Sequence, residues 1–121
     1  MKIRKSVAVD VILDRLELDC IPEVISDGDE DLYERISDKC VELASALKAG
    51  EIPWTLGKHD HDILRDTIEG STWSCRYYHG SVMDQEQKKE WRKSIRQLRS
   101  AKKLVEKLIG EEISEANLPV W

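Results

Sequence analysis

The sequence predicts an all-α fold of four helices, the last of them long and packed across the rest. Three observations predict it. The 121 residues are 36% charged and 40% hydrophobic, a charged share well above the usual quarter with an ordinary apolar share, which suits helices better than a β-sandwich or a disordered tail. Leu32, Ile36, Cys40, Leu43, Ala44 and Leu47 recur at steps of three and four, one face of a helix. Trp91, Ile95, Leu98, Val105 and Leu108 form a second such seam. One domain over residues 1–121 is the expectation for this length.

The first helix is expected over about residues 6–18, because Ser6 is a capping residue followed by Val7, Val11, Leu13 and Leu16 with Asp10 in the first turns. The alternation Val7-Ala8-Val9-Asp10-Val11 leaves a short strand as the other reading. Pro22 breaks the pattern, and Ser26-Asp27-Gly28-Asp29-Glu30 reads as a turn ending in a helix cap.

A second helix follows over about 30–48, closed by Gly50. Residues 51–57, Glu51-Ile52-Pro53-Trp54-Thr55-Leu56-Gly57, read as a loop lying against the body of the protein. A short helix is expected from Asp60 to Glu69, stopped by Gly70. Residues 71–80 fit strand, a helical turn or an ordered loop, and a minor strand there would make the fold α+β. The long helix runs from Asp84 to Ile109, with Ala101 and Lys102 thinning its seam, and Gly110 ends it. Residues 111–121 form a C-terminal tail with an apolar end, Leu118-Pro119-Val120-Trp121.

No apolar run approaches the roughly 18 residues of a membrane span, so no membrane role is expected. The N-terminal segment does not read as a signal peptide. Three cysteines, Cys20, Cys40 and Cys75, match neither a disulfide framework nor a CxxC site, which points to a reducing cytoplasm. The phosphate-loop, dinucleotide, nucleophile-elbow and HExxH signatures are all missing, so a non-enzymatic protein without cofactors is expected.

Charge is the most informative feature. The net charge of -5 hides two opposed regions. Residues 84–109 hold nine Lys+Arg against four Asp+Glu. Residues 17–38 hold Glu17, Asp19, Glu23, Asp27, Asp29, Glu30, Asp31, Glu34 and Asp38 against Arg35 alone. An acidic run of this kind is either a solvated loop and helix start, favoured by the helix dipole, or a surface that occupies a basic groove on a protein partner. The basic helix is either a solvated element paired to the acidic region or a nucleic-acid surface centred on Arg92, Arg96 and Arg99. Overall acidity argues against nucleic acid. Trp54 and Trp121 are candidate binding anchors, since interface hot spots favour aromatics. The thin seam of the long helix also permits an antiparallel pair between two copies, a homodimer.

His59-Asp60-His61-Asp62, with Cys75 and His79 downstream, is the one cluster of metal-ligating types. On a helix, residues two apart point away from each other, so both histidines reach one metal only from a strand or loop. Helix-cap roles for His59, Asp60 and Asp62 are the simpler expectation, and no metal is expected.

Ser6-Val7-Ala8-Val9-Asp10-Val11-Ile12 and, more fully, IPWTLGKHDHDILRDTIEGSTW from Ile52 to Trp73 resemble small uncharacterised proteins of tailed bacteriophages and prophages. The resemblance covers roughly half of the chain and carries no catalytic residues with it. It implies a viral accessory protein in the cytoplasm of an infected bacterium. With the charge pattern, it leads to an expected binder and inhibitor of a host nucleic-acid-handling or defence complex, in the manner of anti-CRISPR proteins. The surface would comprise Asp27, Asp29, Glu30, Asp31, Glu34 and Trp54. The alternatives are a nucleic-acid-binding or regulatory module using helix 84–109 and a metal-binding protein.

Overall fold

Ser6 opens the first helix as its sequence position predicts. Its carbonyl accepts from the Asp10 amide at 3.2 Å and its hydroxyl from the Val9 amide at 3.4 Å, the arrangement of an N-cap. The computed structural model describes residues 1–17, 30–79 and 84–113, with residues 30, 33 and 70–79 described by backbone only. It contains α1 (Val7–Glu17), α2 (Glu30–Ala49), α3 (Lys58–His79) and α4 (Gln85–Ile109). Among the described residues there is no strand, and the extended pairing is an isolated antiparallel bridge between Lys2 and Glu51. The all-α expectation holds.

Helix α2 ends where glycine chemistry allows. Gly50 has φ +79°, its amide donates to the Leu47 carbonyl at 3.2 Å, and the Glu51 amide donates to the Ala46 carbonyl at 3.1 Å. These two bonds form a Schellman motif that satisfies carbonyls left over at the helix end. The chain then runs beside the N-terminal segment. Ile3 donates to the Gly50 carbonyl at 2.7 Å and Ile52 to the Met1 carbonyl at 2.9 Å, while Ile3 and Ile52 bury their side chains in the core. The loop 51–57 therefore lies against the body, with Trp54 and Leu56 packed on the core.

The third helix differs from expectation. It begins at Lys58, passes through Gly70 and continues to His79, so residues 71–79 are helix and neither strand nor loop. Glycine ends a helix only where the chain turns away, and within a helix it costs about 1 kcal/mol relative to alanine. A connection of five residues makes α3 and α4 antiparallel neighbours, and the 22 residues of α3 match the 25 of α4. Residues 26–29 of the expected turn and the apolar end of the tail lie outside the described residues, and Glu30 is the first residue of α2.

Helices α1 and α3 each pack on every other helix, whereas α2 and α4 do not touch. The four helices thus form a rhombus in which α1 and α3 share the short diagonal. Val9, Ile12 and Leu16 of α1 meet Ile36, Leu43 and Leu47 of α2, Ile63, Leu64 and Ile68 of α3, and Leu98, Ala101 and Val105 of α4 in one core cluster. The α4 seam from Leu98 to Ile109 is covered within the chain, so it is not the face that could pair two copies.

Two outcomes follow for stability. Gly50→Ala places a Cβ 3.2 Å from the Ile3 carbonyl in addition to forcing φ +79°, whereas at Gly110, φ +72°, a Cβ meets nothing within 4 Å. Both lose about 1–2 kcal/mol from the left-handed conformation, and urea unfolding should show the larger loss for Gly50→Ala. Ile12→Ala, emptying a fully buried site on a helix that touches all three others, should cost about 2–5 kcal/mol by the same measurement.

Candidate nucleic-acid interface

Helix α4 is built for precise ends and one-sided burial. Asp84 caps it: its carboxylate accepts from the Gln87 amide at 2.8 Å while the Gln87 side chain accepts from the Asp84 amide at 3.1 Å, a reciprocal capping box. At the other end Gly110 turns left-handed and donates to the Glu106 carbonyl at 2.9 Å. Ile95, Leu98, Ala101, Lys102, Val105, Leu108 and Ile109 are the buried residues.

The opposite side is charged with one sign. Lys89, Arg92, Lys93, Arg96, Arg99, Lys103 and Lys107 are all exposed, and at about 100° per residue they fall within a sector of about 120° directly away from the buried seam. From Lys89 to Lys107 the stripe is about 27 Å long at 1.5 Å per residue. No carboxylate of α4 itself lies inside the sector. Glu86 and Glu106 stand just beyond its two edges and Glu90 lies further round toward the core side.

Glu106 is turned inward. One of its oxygens lies 3.6 Å from the Lys102 ammonium and the other accepts from the Ile113 amide at 2.9 Å. Lys102, 7% exposed, lies within the seam itself. Its aliphatic stem fills the position where the apolar pattern thins, with the ammonium directed to Glu106. Arg65 of α3 reaches Asp62 at 3.4 Å and also pairs with Glu111, tying the turn after α4 to α3.

The acidic candidates divide. Asp27 and Asp29 lie outside the described residues, and Glu30 is described by backbone only as the first residue of α2. Asp31 and Glu34 are exposed on α2, where Asp38 and Glu42 extend the same outward face. That face is mixed: the Arg35 guanidinium donates to the Asp31 carbonyl at 3.4 Å, and Lys39 pairs with Glu42 at 3.4 Å. Trp54 is half-buried against the core, with the Lys39 ammonium 5.5 Å from its ring centroid and its indole N–H buried without a partner. It stands at the flank of the α2 face and not as a projecting anchor. Trp121 lies outside the described residues.

The histidine cluster does not close. His59 and His61 occupy the first turn of α3 and point to different sides. Cys75 and His79 lie on the same unbroken helix, about 21–30 Å further along its axis, far beyond the roughly 2 Å reach of zinc ligands. They cannot share one ion. Among the described residues no group of three or more His, Cys, Asp or Glu is arranged to hold a metal. Asp60 is a helix-start residue: 2% exposed, it accepts from the Gly57 amide at 2.8 Å.

The neighbours Lys102 and Lys103 give a direct check on which side of α4 faces outward. Lys102→Met removes one partner of a largely buried ion pair and leaves the Glu106 carboxylate without its cation, a change that costs up to about 3–5 kcal/mol where buried pairs are broken, and thermal unfolding should show a clear loss. Lys103→Met changes an exposed position and should shift stability by less than about 0.5 kcal/mol.

No family model, curated protein or solved structure matches this chain, and its functional reading rests on the charge geometry of its own surface.

Proposed function

We propose that this chain is a non-enzymatic binding protein whose working surface is the outward face of α4, and that this face takes the phosphate backbone of a nucleic acid. The single observation that carries this reading is a sector of α4 with seven exposed cations and no carboxylate from the helix itself. The described acids of α2 do not count against it once distance is considered. The acids of α2 lie on the far side of the α1 and α3 pair, about two helix diameters or ~20 Å away. The Debye length at physiological ionic strength is about 8 Å, so their repulsion is screened to a small fraction at the α4 face.

A second reading keeps the α2 face as a docking surface for a basic protein partner. It is supported by the exposure of Asp31, Glu34, Asp38 and Glu42 on one side of α2 with Trp54 at the flank. The resemblance to phage and prophage proteins supplies the setting for it, a host nucleic-acid-handling or defence complex. The interspersed Arg35 and Lys39 make this face weaker than the uniform one on α4.

Affinity purification from a bacterial host at moderate salt, with and without nuclease, separates the two. Wild-type protein should retain nucleic acid that nuclease removes, and the variant Arg92→Glu, Arg96→Glu, Arg99→Glu should lose it while keeping its helical circular dichroism. In a gel shift, each phosphate contact removed should lower the slope of log K against log salt by about one. A stoichiometric protein partner that survives nuclease and is lost on Asp31→Lys, Glu34→Lys, Asp38→Lys would install the second reading instead.

A further inference from the structure

We propose that residues Lys2 to Arg4 form an open strand edge that takes an extended acidic segment of a protein partner by strand addition, with carboxylates at alternate residues of that segment. The edge is separate from the α4 face, and neither reading depends on the other.

The direction of three backbone groups follows from bonds already made. The Ile3 amide donates to the Gly50 carbonyl at 2.7 Å, and the Met1 carbonyl accepts from the Ile52 amide at 2.9 Å. No described peptide bond is cis, and in a planar trans peptide the N–H and C=O point opposite ways. The Lys2 carbonyl, opposed to the Ile3 N–H, therefore points away from residues 50–52. So does the Lys2 N–H, opposed to the Met1 carbonyl. The Ile3 carbonyl faces Gly50, 3.2 Å from where a Cβ there would stand, which turns the Arg4 N–H outward as well. The edge thus presents donor, acceptor and donor in succession, the pattern that one side of a β-strand offers to a neighbour.

Nothing within the described chain uses this edge. Lys2, Arg4 and Lys5 are exposed, and none of the three makes a hydrogen bond or ion pair with the described residues. Ile3 between them is anchored by its buried side chain, so the edge is held in place before a partner arrives and less ordering cost falls on binding.

Charge selects the occupant. Lys2 and Arg4 alternate with the buried Ile3 and share the solvent face of the edge. Side chains directly opposite across a strand pair attract when their charges differ and repel when they match. An occupant with Asp or Glu at alternate residues sets a carboxylate opposite each cation, whereas charged side chains on an edge discourage uncharged strands. A second copy of the same edge would place Lys2 and Arg4 against like charges. The phosphate backbone of a nucleic acid offers acceptors alone, which leaves the Lys2 carbonyl facing oxygen. A peptide backbone supplies both donor and acceptor.

Titration of the isotope-labelled full chain at low salt with a capped peptide of repeated Glu-Thr pairs, read by the amide shifts of Lys2 and Arg4, tests this. Two isomers of that peptide share composition and charge, one N-methylated at its Glu residues and the other at its Thr residues. A residue opposite Lys2 bonds through its own N–H and C=O, so Glu methylation blocks the ladder and Thr methylation spares it. The Thr-methylated isomer should bind and shift both amides. The Glu-methylated isomer should bind at least about fivefold more weakly, since each lost hydrogen bond is worth roughly 2- to 12-fold. Arg4→Pro, which deletes the charge and the outward N–H in a residue type that edge strands tolerate, should weaken binding at least about threefold more than Arg4→Gln, which deletes the charge alone. Equal binding of the two isomers reduces the contact to charge attraction and overturns the proposal. It is overturned too if no peptide shifts Lys2 and Arg4, or if a single-stranded oligonucleotide shifts them and the peptides do not, which would assign the segment to nucleic acid.

Discussion

The burial of one short helix holds the molecule together. Helix α1 has 11 residues, a length at which an isolated helix is marginal in water. Its helical state therefore depends on the partners it packs against. Ala8, Val9, Ile12 and Leu16 are buried, and α1 contacts α2, α3 and α4 alike. With α3 it forms the central pair that separates α2 from α4, and this separation decides what the charges of the chain do.

Sequence totals describe the electrostatics badly. A net charge of -5 suggests an acidic object that repels phosphates, yet the described surface has two faces of different character. The α4 face is uniformly basic, whereas the α2 face mixes Asp31, Glu34, Asp38 and Glu42 with Arg35 and Lys39. Because α2 and α4 do not touch, the acids of one cannot form close pairs with the cations of the other. Among the described residues, two ion pairs join different elements. Lys48 of α2 reaches Glu17 of α1, and Arg65 of α3 reaches Glu111 beyond α4. Such exposed pairs contribute little to stability, typically about 0–1 kcal/mol.

The helix ends show the same economy of means. Gly50 and Gly110 both adopt the left-handed conformation, but only Gly50 has the Ile3 carbonyl pressed against it. Gly50 thus does two things. It ends α2, and it makes room for the N-terminal segment to bond with residues 50–52 and bury Ile3 and Ile52. At the far end, Glu106 joins α4 to the following turn by accepting from the Ile113 amide, and Ile113 is buried in the core.

By itself the sequence determined the helical class, the faces of α2 and α4, the Ser6 cap and the glycine stops at 50 and 110, because each depends on neighbours within a few residues. Apolar periodicity, capping side chains and left-handed glycine are local physics. It also marked residues 84–109 as basic and 17–38 as acidic. Tertiary structure alone decided the rest. Gly70 and Gly50 are the same residue type, yet Gly70 lies inside α3 while Gly50 turns left-handed at the end of α2. That continuity keeps Cys75 and His79 far from His59 and His61, which no local spacing rule determines. Lys102 and Lys103 are adjacent and chemically identical, and only the packing of α4 on α1 and α3 sends one into the core and the other to solvent. The separation of the two charged faces is likewise a property of which helices touch, a long-range fact set by how buried surfaces match and invisible to any count along the chain.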